Sequence, residues 1–147
     1  MTGVQTCALP IFRTGKAEMK KLALLIAPLF VLLTACGGST ANVNNLNADA
    51  FASDIKNPGV VVLDVRTAGE FAAGHIENAI NIDVESASFD SEIAKLDKNV
   101  EYAVYCHSGR RSLIATDKMA KAGFTKLTNL QDGVASWQAA GYPLVTA

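Results

Sequence analysis

The chain has 147 residues, with 13 Lys and Arg against 14 Asp and Glu for a formal net charge of −1. That length fits one domain, and a near-neutral balance with 18% charged residues excludes a nucleic-acid binder held by a basic surface. Three Cys exclude a dense disulfide framework, and 50% apolar residues with 11 Gly and 4 Pro exclude a disordered chain.

Residues 1–18 show no periodicity, and Gly3 to Ile11 looks like translated sequencing-adapter DNA. They are read as a non-native leader in which Cys7 has no function, and the protein is taken to start at Met19. Lys20 and Lys21 then precede an apolar run over residues 22–33, the n-region and h-region of a secretory signal peptide. As a helix this run spans roughly 18 Å against about 30 Å of bilayer hydrocarbon. It is therefore too short to cross, and Pro28 interrupts it. Leu33-Thr34-Ala35-Cys36 resembles a bacterial lipobox, which implies a signal peptide over 19–35 and a lipid on Cys36. Gly37 lacks the Asp that marks inner-membrane retention in the resembled lipoproteins. The expected location is extracytoplasmic, on the periplasmic face, with the outer membrane favoured. Residues 36–42 are small and polar and read as a flexible tether, and the folded domain is assigned to 43–146.

Within that domain Asn47 is placed to cap a helix over Ala48–Lys56, with Phe51 and Ile55 on one face. Asn57-Pro58-Gly59 reads as a turn, and residues 60–65 as a strand buried on both faces, as in a parallel sheet. Thr67 and Glu70 have the spacing of a capping box for a short helix through Ala73, ended by Gly74. A short strand over Ala79–Ile82, a helix over Phe89–Leu96 and a buried strand over Tyr102–Tyr105 follow. Next come a helix over Ser112–Lys121, carrying Leu113 and Ile114 early and Met119 and Ala120 late, and a strand over Phe124–Leu130. The last helix covers Val134–Ala140 and holds Trp137 as a core aromatic. Strand and helix alternate at short intervals, which predicts an α/β domain with a mainly parallel central sheet and helices on both faces.

The chemistry is concentrated in Tyr105-Cys106-His107-Ser108-Gly109-Arg110-Arg111-Ser112, where a buried strand ends and an amphipathic helix begins. Ligands of open α/β sheets bind at the carboxyl ends of strands, and helix N-termini offer unpaired N–H groups to anions. A cysteine there faces converging amide dipoles, and Arg110 and Arg111 add positive charge. Both effects favour thiolate, which makes Cys106 the candidate nucleophile. Gly109 lets the loop curl into an anion-binding nest. With Cys36 lipidated, Cys106 is the one thiol of the mature chain, which excludes an internal dithiol redox cycle.

Over nearly all of residues 43–146 the sequence resembles the rhodanese-like sulfurtransferase domain. Leu63-Asp64-Val65-Arg66 is similar to the family's first signature strand, and Glu70–Ile76 with residues 79–82 to the segment after it. Residues 106–111 resemble the active-site loop, and Gly133–Trp137 with residues 140–143 the closing helix and tail. Four residues separate Cys106 from Arg111, a ring suited to a sulfur-centred anion. The resembled phosphatases have one residue more, and here Ser112 stands where they need their phosphate-clamping Arg. His107, Asn78 and Asp132 depart from the family pattern. Asn78 tolerates a left-handed backbone, Asp132 would weaken anion binding if it pointed inward, and His107 is read as facing solvent.

The resemblance implies a sulfurtransferase that moves a sulfane sulfur from thiosulfate or a persulfide to a thiol or cyanide through a Cys106 persulfide. His107, Ser108, Gly109, Arg110 and Arg111 form its anion-binding loop. Asp64 and Arg66 are supporting residues, read as a buried structural pair, and His75 as a hydrogen-bonded structural histidine. No cofactor and no metal are implied. The expected partners are a small sulfur anion, a thiol acceptor and a membrane through Cys36, with no nucleic acid, and the chain is expected to be a monomer. The reading from another class is a non-catalytic module of the same fold that binds a ligand or partner at the envelope.

Overall fold

A computed structural model describes residues 42–146. The leader, the signal peptide, Cys7, the lipobox Cys36 and all of the tether except Asn42 lie outside the described residues. In chain order the elements are β1 (Val43–Leu46), α1 (Ala48–Asp54), β2 (Val60–Asp64), α2 (Ala68–Ala73) and β3 (Ile80–Asn81). They continue with α3 (Phe89–Ile93), β4 (Glu101–Tyr105), α4 (Arg110–Lys121), β5 (Leu127–Leu130) and α5 (Gly133–Ala139).

The strands form one sheet in the order β1-β5-β4-β2-β3, and every pairing is parallel. Apolar β-branched residues fill β2, and β4 and β5 are buried almost throughout, as strands covered on both faces must be. Alternation along β4 divides the interior. Tyr102, Val104 and Cys106 join Leu63, Val65, Phe89, Ile93, Ala115 and Met119 on the face covered by α3 and α4. Ala103 and Tyr105 join Phe51, Val62, Leu130, Val134 and Trp137 on the face covered by α1 and α5. Trp137 meets Phe51 edge-on at 6.2 Å, and its indole N–H donates to the Pro143 carbonyl at 2.9 Å.

The local signals act as read. Asn47 Oδ1 accepts from the Ala50 N–H at 2.9 Å, and Thr67 and Glu70 close a full capping box. Asn78 adopts φ 62°, as an Asn can.

Four points of the sequence reading need correction. Strand β1 went unread, because Val-Asn-Asn-Leu has two polar residues and its sheet membership comes from backbone pairing with β5 at an edge. The strand at 79–82 shrinks to Ile80–Asn81, and the strand at 124–130 starts only at Leu127. Helix α4 starts at Arg110, so its inner face is Ser112, Ala115, Thr116 and Met119, at helical spacing. Leu113 and Ile114 are each left 48% exposed.

Between β2 and β4 the chain order reverses: β3 lies beyond β2, whereas β5 and β1 lie beyond β4. Ligands of such sheets bind where the order reverses, and Cys106 leaves β4 at that point. Helix α5 closes over this exit. The Val134 and Ala135 N–H groups donate to the Cys106 and Cys106-adjacent His107 carbonyls at 2.8 and 3.2 Å. Gly133 has φ 62°, and a Cβ on it would lie 2.5 Å from the Cys106 carbonyl oxygen. We expect Gly133→Ala to lower stability by about 2–4 kcal/mol in urea unfolding, from strain plus backbone clash. Gly69, inside α2 with nothing within 4 Å of an added Cβ, serves as the opposite case. Gly69→Ala should gain up to about 1 kcal/mol; equal midpoints for the two variants would refute the closure.

Candidate active site

Cys106 is the first residue past β4 and is fully buried. Its side chain follows the strand alternation onto the α4 face, beneath the first turn of that helix. Gly109, in the left-handed region at φ 85°, turns the chain back so that its N–H donates to Cys106 Sγ at 3.1 Å. A Cβ there would stand 3.0 Å from the Asp132 backbone nitrogen, so the approach of the two loops also selects glycine. Ser112 Oγ lies 2.9 Å from the Gly109 carbonyl and 3.5 Å from Cys106 Sγ. Its single proton serves the nearer carbonyl, and the sulfur is the alternative acceptor. The opening amides of α4 lack intrahelical partners, so the positive end of the helix faces the sulfur.

The two loop arginines have different surroundings. Arg111 makes a forked contact with Glu70, 2.7 Å to Oε1 and 2.8 Å to Oε2, and lies 3.3 Å from Glu85. This hydrogen bonding holds the Glu70 carboxyl down to about 2, and the same contact pushes the Arg111 guanidinium above its usual range. Arg110 is exposed and has no carboxylate within ion-pair distance among the described residues. Arg110 therefore keeps an unpaired charge among the described residues, while Arg111 ties the loop to α2. Sequence reasoning read Glu70 only as a capping residue. Its second role spans 41 residues of chain, and no local spacing announces it.

His107 and Ser108 are exposed on the outer side of the loop. Asp132, with φ 60°, is exposed beside the loop next to Ser108, Gly109 and Arg110. These three residues, with Asp132, Asn45, Leu113, Asn129 and Gln131, line a cleft of about 450 Å³. A smaller recess of about 300 Å³ on the other side of the loop is lined by His107, Arg66, Glu70, Gly74, Val134 and Leu144, among others.

Asp64 and Arg66 form the buried structural pair expected of them. Arg66 donates from Nε and a terminal nitrogen to both Asp64 oxygens, at 2.6–3.0 Å, and from that nitrogen to the Gly74 carbonyl at 2.7 Å. Burial works against the Arg66 charge, but the Asp64 hydrogen bond and charge outweigh it and raise its pKa. The guanidinium lies 5.5 Å from the Tyr105 ring centre, and the Tyr105 hydroxyl accepts the Ile76 N–H at 3.0 Å. Burial, reinforced by Asp64, keeps that phenol protonated. Removing one partner of such a pair costs about 3–5 kcal/mol, so its role is to hold the end of β2 beside the loop. His75 is likewise structural: Nδ1 lies 3.0 Å from the Phe71 carbonyl, and the ring stacks on Phe71 at 3.8 Å. Among the described residues no three His, Cys, Asp or Glu are grouped to hold a metal ion.

A family model described as the Rhodanese-like domain matches residues 47–140. The chain is 34% identical over 96 residues to a senescence-associated protein of Raphanus sativus, an overlap covering 58% of this chain and 52% of that one. It is 31% identical over 96 residues to the thiosulfate sulfurtransferase GlpE of Ectopseudomonas mendocina, covering 65% and 85%. Among solved structures, a rhodanese-related protein from Thermoplasma volcanium superposes with a TM-score of 0.63 at 32% identity, over 71% of this chain and 99% of that one. The chain spans about half the length of several curated relatives that it matches. With a matched segment that runs from the cap of α1 to the end of α5 and encloses the Cys106 loop, the chain belongs to the rhodanese-like domain family, whose members similar to it include sulfurtransferases.

Proposed function

We propose that the protein is a sulfurtransferase that carries a sulfane sulfur on Cys106. The observation that carries this reading is the Gly109 N–H directed at Cys106 Sγ from the N-terminal turn of α4, at 3.1 Å. Cys106 thiolate attacks the outer sulfur of thiosulfate, the new S–S bond forms, and the bond to the sulfonate sulfur breaks to release sulfite. The product Cys106–S–S⁻ keeps one negative charge, which the loop amides stabilise as preorganised donors. An acceptor thiolate or cyanide then attacks the outer sulfur, and Cys106 leaves as thiolate. Charge and electrons balance in each half, and no external oxidant or reductant enters. Arg110 draws the anionic donor to the loop.

Complete burial of Cys106 is the observation on the side of the second reading, a binding module with an inert cysteine. On the sequence signals at Met19–Cys36, the active form is proposed to be an extracytoplasmic lipoprotein.

Three measurements bear on these statements. After thiosulfate treatment, the intact mass should rise by one sulfur atom on Cys106, and Cys106→Ser should lose sulfur transfer by about 10³-fold or more. An unchanged mass would favour the binding module. Second, Glu70 has its carboxyl depressed in the folded state, so its contribution is complete above the ordinary carboxylate value of 4.5 and is lost as pH falls toward about 2. The stability gap between the native chain and Glu70→Gln should therefore close across that window, as read by thermal unfolding; a gap independent of pH would sink the Glu70–Arg111 tie. Third, Cys36→Ser expressed in a bacterial host should move the protein out of the detergent-soluble membrane fraction and abolish labelling by a fatty-acid probe. Full labelling of that variant would place the anchor elsewhere.

A further inference from the structure

We propose that the cleft beside the loop is a binding site for a small amino-acid-type zwitterion, and that its occupant is the thiol acceptor of the reaction. Only the word acceptor rests on the sulfurtransferase reading; the site itself stands on its own geometry.

The cleft lies at the carboxyl ends of β5 and β1 and holds groups of three kinds. Arg110 is a cation and Asp132 an anion, both exposed and neither in an ion pair among the described residues. One turn along α4 from Arg110, Leu113 is 48% exposed and gives the cleft an apolar edge. Asn45, Asn129 and Gln131 supply amides.

Asn129 is the unusual member. It is 2% exposed, its Nδ2–H donates to Asn45 Oδ1 at 2.8 Å, and its buried Oδ1 has no partner among the described residues. Exchanging the oxygen and nitrogen of both amides leaves an Asn129 atom unpartnered just the same, so this incompleteness does not depend on how the amides are turned. A buried polar group left unpaired costs stability, and such groups in native proteins call for a partner or a function. Here the unpaired amide belongs to a residue that lines a cleft beside the nucleophile.

A cation and an anion lining one small cleft match a ligand carrying a carboxylate and an ammonium. A ligand with a single charge gains from one of these side chains and loses to the other, so only a ligand carrying both charges gains from both. The amides suit the polar backbone of an amino acid or short peptide, and Leu113 its methylene. Gly109, whose N–H donates to Cys106 Sγ, is also a wall of the cleft, so one residue separates an occupant from the buried sulfur.

The test uses probes that cannot take sulfur, so that binding is read apart from turnover. S-methyl-L-cysteine carries both charges, its N-acetyl form lacks the ammonium, and 2-(methylthio)ethylamine lacks the carboxylate. Titrated into the full chain by NMR, S-methyl-L-cysteine should shift the side-chain amide signals of Asn45 and Asn129 and bind about tenfold more tightly than either singly charged probe. Asp132→Asn, which keeps a residue suited to φ 60°, should erase the preference over the N-acetyl form. Equal affinity for the three probes, or shifts confined to the recess around His107, would overturn the proposal. The sulfur-loading experiment is independent of this one. Charge-selective binding without loading would retain the cleft and refute sulfur transfer, and loading without selective binding would do the reverse.

Discussion

Two hydrogen bonds from the first amides of α5 to the carbonyls of Cys106 and His107 hold the centre of the molecule together. A strand at the middle of a parallel sheet must leave it somewhere, and its last carbonyls must find donors. Here Val134 and Ala135 supply them, at 2.8 and 3.2 Å. Because these contacts bring backbone against backbone, no Cβ fits at Gly133, and the neighbouring turn of Gly109 packs on Asp132. The loop that surrounds the sulfur is therefore clamped from the side remote from α4. Its curvature follows from that clamp and from the left-handed glycine, and its donors are oriented before any ligand arrives.

Charge around the loop is divided by tertiary contacts. Arg110 and Arg111 are neighbours in sequence, but a helix points adjacent residues about 100° apart. One side chain turns toward α2 and meets Glu70 and Glu85, and the other faces solvent at the mouth of the cleft. Glu70 thereby holds both the start of α2, through the Thr67 amide and hydroxyl, and the start of α4, through Arg111. The buried Asp64–Arg66 pair does related work at β2, joining the strand end to the Gly74 carbonyl, while Asn81 binds the carbonyls of Asp64 and Arg66. The exits of the two strands flanking the point of reversal are thus each fastened by a charged side chain. Apolar packing alone would leave such loops free to shift, because it is not directional.

Much of this was legible before any coordinates. The buried β-branched run of β2, the caps at Asn47 and Thr67, and the strand-to-helix junction at Cys106 are local patterns. Each is set by interactions between residues a few positions apart; both caps stand where their spacing placed them, and the strand and the junction stand within two residues of it. The order of landmarks along the chain was enough to indicate the family. Illegible were β1, whose two asparagines hide an edge strand, and the inner face of α4, where small and polar residues rather than Leu113 and Ile114 approach the sheet.

The sequence by itself determined most of the elements, their alternation and the position of the Cys106 loop, since short-range backbone preferences and side-chain spacing carry that information. Tertiary structure alone decided which arginine meets carboxylates and which is unpaired among the described residues, that Glu70 reaches across 41 residues to the loop, and that Asn45, Asn129 and Asp132 meet at one cleft. Those outcomes depend on strand order. Pairing β5 with both β4 and β1 places residues more than eighty positions apart within hydrogen-bonding distance, and no periodicity in the chain encodes that approach.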